Sequence, residues 1–334
     1  MNLLRRLFKN KKKKVLVLWY PIGSNFGDFY IHETVKNNLD KWGYSWNSMD
    51  VGLPYNQIAK VAKKCDFVWF AGGGIIERGI PDIILQFKKF HKQARNIKYG
   101  ITGLSIGEFD YSDNKSSLSY WINNASFFYT RDKYSADELN RIIGNQIAYA
   151  SADVVFASDA EKQYINNKND YDIGINFRDL PYPDLSGEFD WESWTNSISE
   201  INGKITGIPD QYDVSDMVNF NMEVAYSPQN ALKAISKCNI VVAMRFHVIL
   251  FAAKMGKIPI PINYCPKVER LAKQLGIDNL VLGVHDFHDL PAKINEVNNN
   301  KDFYQEVIAQ NVCILENNIN KTFDVVKSIL KKEI

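Results

Sequence analysis

Residues 239–256 read NIVVAMRFHVILFAAKMG, and this stretch is the strongest indication of the fold. The apolar run at residues 239–243 predicts a short buried strand, and residues 248–256 predict a helix packed on a sheet. Arg245 and His247 therefore lie where a strand ends and a helix begins. Ligands of open α/β sheets bind at that edge of the sheet. A guanidinium and an imidazole at this position predict anion binding coupled to proton transfer.

Short apolar runs alternate with helical patterns throughout the chain. Residues 66–71, DFVWFA, are apolar after the first position, as expected for a strand of a parallel sheet that helices cover on both faces. The alternation predicts an α/β fold of two doubly wound, Rossmann-like domains that face a cleft. Strands are predicted over residues 15–20, 66–71, 97–104, 127–130, 146–150, 171–177, 204–209, 240–243, 258–262 and 280–282, and helices over 28–42, 81–94, 133–142, 229–237, 248–256 and 267–276.

Length and composition fit a two-domain globular enzyme. The chain has 334 residues, of which 46% are hydrophobic and 23% are charged. The segment at residues 158–170 is polar and charged, so it is the best linker candidate. We therefore predict four regions: a basic N-terminal segment at residues 1–14, an N-terminal α/β domain at 15–165, a C-terminal α/β domain at 171–300, and closing helices at 301–334.

The charge distribution argues against nucleic acid as a partner. The formal net charge is +2, which provides no global field for binding an acidic polymer. Residues 1–14 nevertheless contain seven Lys or Arg residues and no acid, together with several large apolar residues. This segment predicts either a solvated, frayed terminus or a short amphipathic element that lies on an anionic membrane surface.

Neither an export signal nor a membrane-spanning segment is evident. The apolar stretch at residues 15–20 is too short for a signal peptide, and no run approaches the length of a membrane span. We therefore expect a cytoplasmic protein, with peripheral binding at the inner face of the cell membrane as a further expectation. The four cysteines lack C-x-x-C and zinc-finger spacing, so we expect reduced thiols and no metal site.

The loop at residues 23–28, GSNFGD, follows the first predicted strand and opens the first predicted helix. Its glycines allow backbone N–H groups to approach a ligand, and the N-terminus of the helix favours an anion. The loop lacks both the G-x-G-x-x-G dinucleotide pattern and the P-loop lysine. Asp28 is a candidate for catalysis or for capping the helix, and its spacing alone does not separate the two roles.

Two further glycine-containing motifs follow predicted strands. Gly72, Gly73 and Gly74 end the second predicted strand, and three consecutive glycines favour close approach of a ligand over a turn alone. Residues 103–107, GLSIG, match G-x-S-x-G, the nucleophile elbow of serine hydrolases. The elbow requires a helix directly after the serine, whereas residues 108–117 predict a loop rich in Asp, Ser and Asn. We therefore interpret the match as coincidence.

Arginines follow two other predicted strands. Arg131 and Asp132 end a strand and begin a helix, and a structural ion pair between them is the favoured interpretation. Arg178 ends the first strand of the second domain, where its guanidinium can hold a carboxylate or a phosphate with two hydrogen bonds. A surface salt bridge to Asp179 is the alternative. Among the other histidines, His32 lies on the first predicted helix and is interpreted as structural.

Taken in order, these motifs resemble those of the polysaccharide pyruvyl transferase family. The family pattern has N-x-G-D after the first strand, a strand-ending glycine triplet, R-D before a helix, an arginine early in the second half, and then R-x-H, a glycine–proline motif and Y-x-x-K. Residues 103–107 replace a more glycine-dense strand end of the family. The corresponding residues here are Asn25, Gly27 and Asp28; Gly72, Gly73 and Gly74; Arg131 and Asp132; Arg178; Arg245 and His247; Gly256 and Pro259; and Tyr264 and Lys267.

The resemblance implies a fold similar to the two-domain GT-B glycosyltransferases, with the acceptor on the N-terminal domain and the donor on the C-terminal domain. It implies an enzyme, a ketal-forming transferase that moves the enolpyruvyl unit of phosphoenolpyruvate onto a sugar and releases phosphate. The sugar would belong to a surface glycan, such as a capsule or exopolysaccharide, or to its lipid-linked precursor. No organic cofactor is expected, because phosphoenolpyruvate is the donor substrate. A GT-B-like glycosyltransferase that uses a nucleotide sugar is the alternative.

Under this hypothesis the candidate side chains divide into catalytic and substrate-binding residues. His247 is the predicted acid, Asp28 is a candidate base, and Arg245 is a catalytic cation. Arg178 and Arg245 are the candidates for binding the two anionic groups of the donor, with Lys267 as a third. The remaining predicted substrate-binding residues are Tyr264, Asn25, Gly27, Gly72, Gly73 and Gly74.

Overall fold

A computed structural model of the chain describes residues 12–20, 26–77, 79–108, 110–165, 167–178, 190–209 and 227–334. The chain divides into two compact units, each of which is discontinuous in sequence. Unit 1 consists of Met1–Ile22, Ile31–Ala157 and Asn318–Ile334, and unit 2 consists of Gly23–Tyr30 and Ser158–Asn317.

Unit 1 is built on a parallel sheet. Its described residues form seven strands: β1 (Lys14–Trp19), β2 (Ser45–Asp50), β3 (Phe67–Phe70), β4 (Gly73–Ile76), β5 (Lys98–Ile106), β6 (Phe128–Thr130) and β7 (Tyr149–Ala150). The strand order is β2-β1-β3-β5-β6-β7, and β4 also pairs with β5. The order reverses between β1 and β3, so the carboxyl ends of these strands flank a switch point where doubly wound sheets bind ligands.

Helices pack on the unit 1 sheet because each presents an apolar face. The described helices are α1 (Phe26–Lys41, within this unit from residue 31 onward), α2 (Tyr55–Ala62), α3 (Asp82–Leu85), α4 (Phe87–Gln93), α5 (Lys115–Asn123) and α6 (Lys133–Ile143). Their buried side chains, among them Ile58, Phe87 and Trp121, share one hydrophobic core with the strands. The helix predicted at residues 81–94 is divided at Gln86, whose backbone leaves helical values (φ −101°, ψ 22°).

Unit 2 repeats the architecture with fewer strands. Its described strands are β8 (Tyr171–Asn176), β9 (Ile205–Gly207), β10 (Cys238–Ala243), β11 (Ile258–Asn263) and β12 (Leu282–Gly283). All neighbours are parallel, in the order β12-β11-β10-β8-β9, so the switch point lies between β8 and β10. The described helices are α7 (Trp191–Ser199), α8 (Pro228–Ser236), α9 (Phe246–Lys254), α10 (Pro266–Leu275), α11 (Leu290–Asn299) and α12 (Lys301–Glu333).

The last helix contributes to both units, which differs from the separate closing region predicted at residues 301–334. Phe323, in the second half of α12, packs edge-on against Trp42 and Trp69, with 6.1 and 5.9 Å between ring centroids. Ser151 Oγ and Thr322 Oγ1 lie 2.7 Å apart. These contacts bury the end of α12 in the unit 1 core, and sequence order alone cannot reveal such a long-range contact.

The predicted linker is packed rather than solvated. Glu161 is only 2% exposed, and its Oε1 lies 3.0 Å from the Nζ of Lys254 on α9. The same ammonium donates a hydrogen bond to the carbonyl of Ser158, at 2.6 Å. Burial raises the pKa of Glu161, and the Lys254 charge opposes that rise. A buried ion pair therefore holds residues 158–165 in unit 2, although their polar composition predicts a linker.

The described helices include none that combines the length and the apolar composition needed to cross a membrane.

Candidate functional site

The carboxyl ends of three neighbouring strands in unit 2 carry predicted site residues. Arg178 lies two residues after β8, Arg245 lies two residues after β10, and Tyr264 directly follows β11. Ala243 of β10 is aligned with Asn176 of β8 on one side and with a residue of β11 on the other. The three side chains therefore start from the same edge of the sheet, at its switch point.

Tyr264 is the centre of a cationic group. Its side chain is 6% exposed, and the guanidinium carbon of Arg178 lies 5.6 Å from the centre of its ring, within the range of a cation–π interaction. Burial raises the pKa of the phenol, while the charges of Lys267, Arg178 and Arg245 act in the opposite direction. The structure thus groups Tyr264 with three cationic residues that the sequence also predicts for the site.

His247 lies on the first turn of α9 and packs against the backbone of Gly27, on the first turn of α1. A Cβ atom added to Gly27 would lie 1.7 Å from the Nδ1 of His247, so only glycine leaves room for the imidazole. Phe26 and Tyr30 flank this glycine, and each ring lies 5.1 Å from that of Phe251. Because Phe251 follows His247 by one helical turn, the aromatic contacts and the glycine contact lie on one face of α9.

The contact between Gly27 and His247 joins two motifs that are far apart in sequence. Asp28 follows Gly27 directly and is the acidic residue of the first turn of α1, where the helix dipole favours a negative charge. Asp28 and His247 are thus carried by neighbouring helix starts within unit 2. Asn25, the remaining predicted residue of the N-x-G-D motif, lies outside the described residues, as does Asp179.

At two helix starts of this edge, the N-cap residue does not cap the helix with its own side chain. Arg245 is the N-cap residue of α9, with extended backbone (φ −73°, ψ 122°), and Cys265 is the N-cap residue of α10. Neither side chain accepts a hydrogen bond from its own helix. The N-terminus of a helix carries a partial positive charge that favours an anion. The helix starts therefore add partial positive charge to that of the cationic side chains.

The glycine triplet lies in unit 1, and at each of its positions the backbone conformation or a close neighbour favours glycine. Gly72 and Gly73 have positive φ values, +99° and +81°, and a Cβ at Gly72 would lie 2.2 Å from the carbonyl oxygen of Thr102. A Cβ at Gly74 would lie 2.6 Å from Oε2 of Glu77. Gly72 thus lies in the break between β3 and β4, and Gly73 and Gly74 begin β4, whereas the other predicted site residues that the structure describes belong to unit 2. A ligand role for the triplet stays a prediction.

Ser105 does not have the geometry of a hydrolase nucleophile. It lies inside β5, is fully buried, and donates a hydrogen bond to the carboxylate of Glu77. A nucleophile elbow instead exposes its serine on a strand-to-helix turn. The structure therefore agrees with the interpretation of G-x-S-x-G as coincidence.

Arg131 forms the predicted contact with Asp132, at 3.9 Å from Nε to Oδ2, but its shortest ion pair is with Glu77, at 2.6 Å. Asp132 caps α6 by accepting a hydrogen bond from the N–H of Ser135, at 2.8 Å.

Sequence reasoning missed Asn176, which is the last residue of β8 and is fully buried. Its side-chain oxygen accepts a hydrogen bond from the backbone N–H of Arg245, at 3.3 Å. An asparagine directly at a strand end, two residues before a predicted anion-binding arginine, was the available signal.

With this geometry established, comparison with known proteins identifies the family. The sequence matches the family model described as "Polysaccharide pyruvyl transferase" over residues 1–266. The chain belongs to the polysaccharide pyruvyl transferase family. Membership makes it a transferase of polysaccharide biosynthesis, with a glycan as the acceptor. Lys267 lies one residue beyond the matched region. No curated protein matches the sequence significantly.

Solved structures with similar folds include two epimerases and a glucosyltransferase. UDP-GlcNAc 2-epimerase from Neisseria meningitidis has a TM-score of 0.60 at 11% identity, over 96% of this chain and 100% of that one. UDP-GlcNAc 2-epimerase from Methanocaldococcus jannaschii has a TM-score of 0.53 at 11% identity, over 92% and 93%. An alpha-glucosyltransferase solved with UDP and DNA has a TM-score of 0.52 at 10% identity, over 94% and 99%. At such identities the likeness shows the fold alone, and it confirms the GT-B-like class predicted for this pyruvyl transferase family member.

Proposed function

We propose that this protein transfers the enolpyruvyl unit of phosphoenolpyruvate to a sugar, forming a pyruvate ketal and releasing inorganic phosphate. The observation that carries the proposal is a set of three cations at one sheet edge: Arg178 lies beside the ring of Tyr264, and the charges of Arg245 and Lys267 also act on its phenol. Phosphoenolpyruvate holds a carboxylate and a phosphate on one small alkene, so its site needs cations for both groups. The imidazole of His247, two residues after Arg245, supplies an acid at the same edge.

The proposed reaction begins with transfer of a proton from the imidazolium of His247 to the methylene carbon of phosphoenolpyruvate. The electrons of the C=C bond form the new C–H bond, and C2 becomes an oxocarbenium ion. The negative charge of the bound phosphate stabilises the protonated imidazole before transfer. Arg245 stabilises the anionic groups of the donor while charge redistributes between the alkene and the ester oxygen.

A hydroxyl of the acceptor sugar then attacks C2, and its proton passes to Asp28 as general base. Phosphate leaves C2 with the electrons of the C–O bond. A second hydroxyl of the same sugar forms the second C–O bond, and its proton passes to the departing phosphate. The products are a ketal bridging two hydroxyls and inorganic phosphate, and no organic cofactor takes part in these steps.

The acceptor under this proposal is a sugar of a surface glycan, such as a capsule or exopolysaccharide, or of its lipid-linked precursor. A lipid-linked acceptor would bring the enzyme to the cytoplasmic face of the cell membrane. The basic composition of residues 1–14 supports such a peripheral location, because anionic head groups attract clustered lysines and arginines. Residues 1–11 lie outside the described part of the chain.

The direct test is phosphate release from phosphoenolpyruvate with a panel of galactose, mannose, glucuronate and N-acetylhexosamine acceptors. We expect release that depends on both the donor and one class of acceptor, together with a product that gains the mass of a pyruvate ketal. A parallel panel of UDP-sugars serves as the control. Release of UDP from that panel, with no phosphate from phosphoenolpyruvate, would contradict the proposal and support a nucleotide-sugar glycosyltransferase.

A further inference from the structure

Asn176 connects the carboxyl ends of three strands in unit 2. Its Nδ2 donates a hydrogen bond to the carbonyl of Ile208, the residue after β9, at 3.1 Å. Its Oδ1 accepts a hydrogen bond from the N–H of Arg245, after β10, at 3.3 Å. Its own backbone carbonyl accepts a hydrogen bond from the N–H of Met244, at 2.9 Å. One buried residue at the end of β8 therefore fixes the two strand ends that flank it.

The side-chain amide of Asn176 is the chemical group that this position requires. It must donate in one direction and accept in the other, and an amide does both. Aspartate has nearly the same shape, but an ionised carboxylate only accepts hydrogen bonds, so it cannot donate to Ile208. Because the site is fully buried, water cannot replace a lost partner, and an unsatisfied polar group there is costly.

The hydrogen bond from the Arg245 N–H to Asn176 fixes the backbone position from which the arginine side chain extends. Arg245 lies outside α9, as its N-cap residue, in extended backbone. Its N–H is held by Asn176 Oδ1, and the preceding Met244 is held by the Asn176 carbonyl. Two consecutive backbone N–H groups are therefore fixed relative to β8. Arg178 follows the end of β8 by two residues. The relative placement of the two arginines depends on Asn176.

We propose that Asn176 is a positioning residue that sets the affinity of the site for its anionic donor. This inference rests on the proposed function, because it takes phosphoenolpyruvate as the anion. Asn176 acts through Arg245 and does not contact the substrate. The two anionic groups of phosphoenolpyruvate lie a fixed distance apart, so two guanidinium groups bind them well only when their own spacing is fixed.

The test compares Asn176→Asp with wild type in calorimetric binding of phosphoenolpyruvate. At pH 8 we expect the Kd of the variant to be about tenfold higher, because one buried hydrogen bond is lost and one carbonyl is left unsatisfied. Asn298→Asp, the same change at an exposed asparagine on α11, is the matched control and should leave the Kd unchanged. Equal Kd values for Asn176→Asp and wild type would overturn the proposal.

A pH series tests whether the loss of affinity follows the ionisation of the introduced carboxyl group. A protonated aspartic acid both donates and accepts, as asparagine does, and burial favours the protonated form. The ratio of the variant Kd to the wild-type Kd should therefore fall toward one as the pH is lowered from 8 to 5.5. A ratio that stays about tenfold at pH 5.5 would show that restoring the donor does not restore binding, and would overturn the proposal.

A second variant covers the case in which Asn176→Asp is too unstable to purify. Asn176→Ser is too short to bridge both strand ends, and we expect it to raise the Kd of phosphoenolpyruvate while the KM of the sugar acceptor stays unchanged. A rise in the acceptor KM alone would overturn the proposal. If the wild-type chain neither binds phosphoenolpyruvate nor releases phosphate from it, the proposed function itself fails, which is distinguishable from failure of the Asn176 variants.

Discussion

The carboxyl edges of the two sheets have opposite chemical character. At the unit 2 edge, Tyr264 lies within the electrostatic influence of three cations, Arg178, Arg245 and Lys267. At the unit 1 edge, Arg131 is surrounded by carboxylates. Its ion-pair partners are Glu77 at 2.6 Å, Asp153 at 3.7 Å and Asp132 at 3.9 Å.

Both sheets are parallel, and in both the strand order reverses between the first and the third strand, so topology does not explain the difference. Topology determines where strand ends meet, and the residues at those ends determine what can bind there. In unit 1 the guanidinium of Arg131 pairs with carboxylates of its own unit, and no side chain in the group is more than 11% exposed. We therefore expect the unit 1 group to stabilise its fold and the unit 2 group to bind a ligand.

The largest expected effect is on turnover at the unit 2 edge. His247→Ala removes the proposed acid, so kcat should fall by about 10²–10⁴-fold. Binding of phosphoenolpyruvate should persist, because the cations of the site remain. Phosphate-release kinetics and calorimetric binding measure the two quantities separately. His288→Ala, at a histidine of the same unit whose side chain is 68% exposed, is the control. Normal turnover of His247→Ala would remove the imidazole from the mechanism.

The two arginines test the contrast between the edges directly. Arg131→Ala leaves several buried carboxylates without their cation, and we expect it to lower the free energy of unfolding by about 3–5 kcal/mol. Arg178→Ala should instead raise the KM of phosphoenolpyruvate sharply and shift the unfolding midpoint little. Urea unfolding and steady-state kinetics on both variants provide the comparison. A stable Arg131→Ala variant with a raised donor KM would reverse the assignment of roles.

Gly27→Ala tests whether the two motifs of unit 2 act together. The added methyl group would overlap the imidazole of His247, and a displacement of about 1 Å can cost about 100-fold in turnover. The double variant with His247→Ala is the control, because it removes the ring that the methyl group would meet. In that background Gly27→Ala should cost little further activity or stability. If the losses from Gly27→Ala and His247→Ala simply add, Gly27 matters for a reason other than its contact with His247.

The fold was predictable wherever strands are continuously apolar. The runs at residues 66–71 and 240–243 correspond to β3 and β10, and both are buried in the structure. β2 was not predicted, because its sequence SWNSMD is polar and the strand is only half-buried at the sheet edge. The division of α12 between the units was equally beyond prediction, since the contacts of Phe323 with Trp42 and Trp69 depend on tertiary structure.

The candidate site was predictable in its motifs but not in its contacts. The positions of Arg178 and Arg245 after strands, and of His247 at a helix start, were predictable from sequence because apolar runs mark where strands end. The packing of His247 on Gly27 joins residues about 220 positions apart in sequence, so no local pattern could reveal it. Asn176 was missed for a different reason, since its position at a strand end before Arg178 is a weak signal until its two hydrogen-bond partners are known.

The smallest expected effect is on stability and concerns His32, a buried histidine of unit 1. His32 is interpreted as structural, whereas His247 is the proposed acid. His32 stacks on Trp19, the last residue of β1, with 4.1 Å between ring centroids, and it shares a 2.5 Å hydrogen bond with Ser48. Burial, with a further contribution from the charge of Lys36, lowers its pKa from 6.5 to about 4. The environment thus favours a neutral ring.

A lowered pKa makes the stability of unit 1 depend on pH in one direction. Between pH 6.5 and pH 4 the unfolded chain binds a proton at His32 that the folded chain does not bind. The contribution of His32 to the free energy of unfolding is therefore fully present above pH 6.5 and is lost as the pH falls toward 4. Urea unfolding of wild type and His32→Gln at several pH values measures it, with His288→Gln as the exposed control. We expect the wild type to lose more stability on acidification than His32→Gln, and parallel curves for the two proteins would mean that His32 titrates alike in the folded and unfolded states.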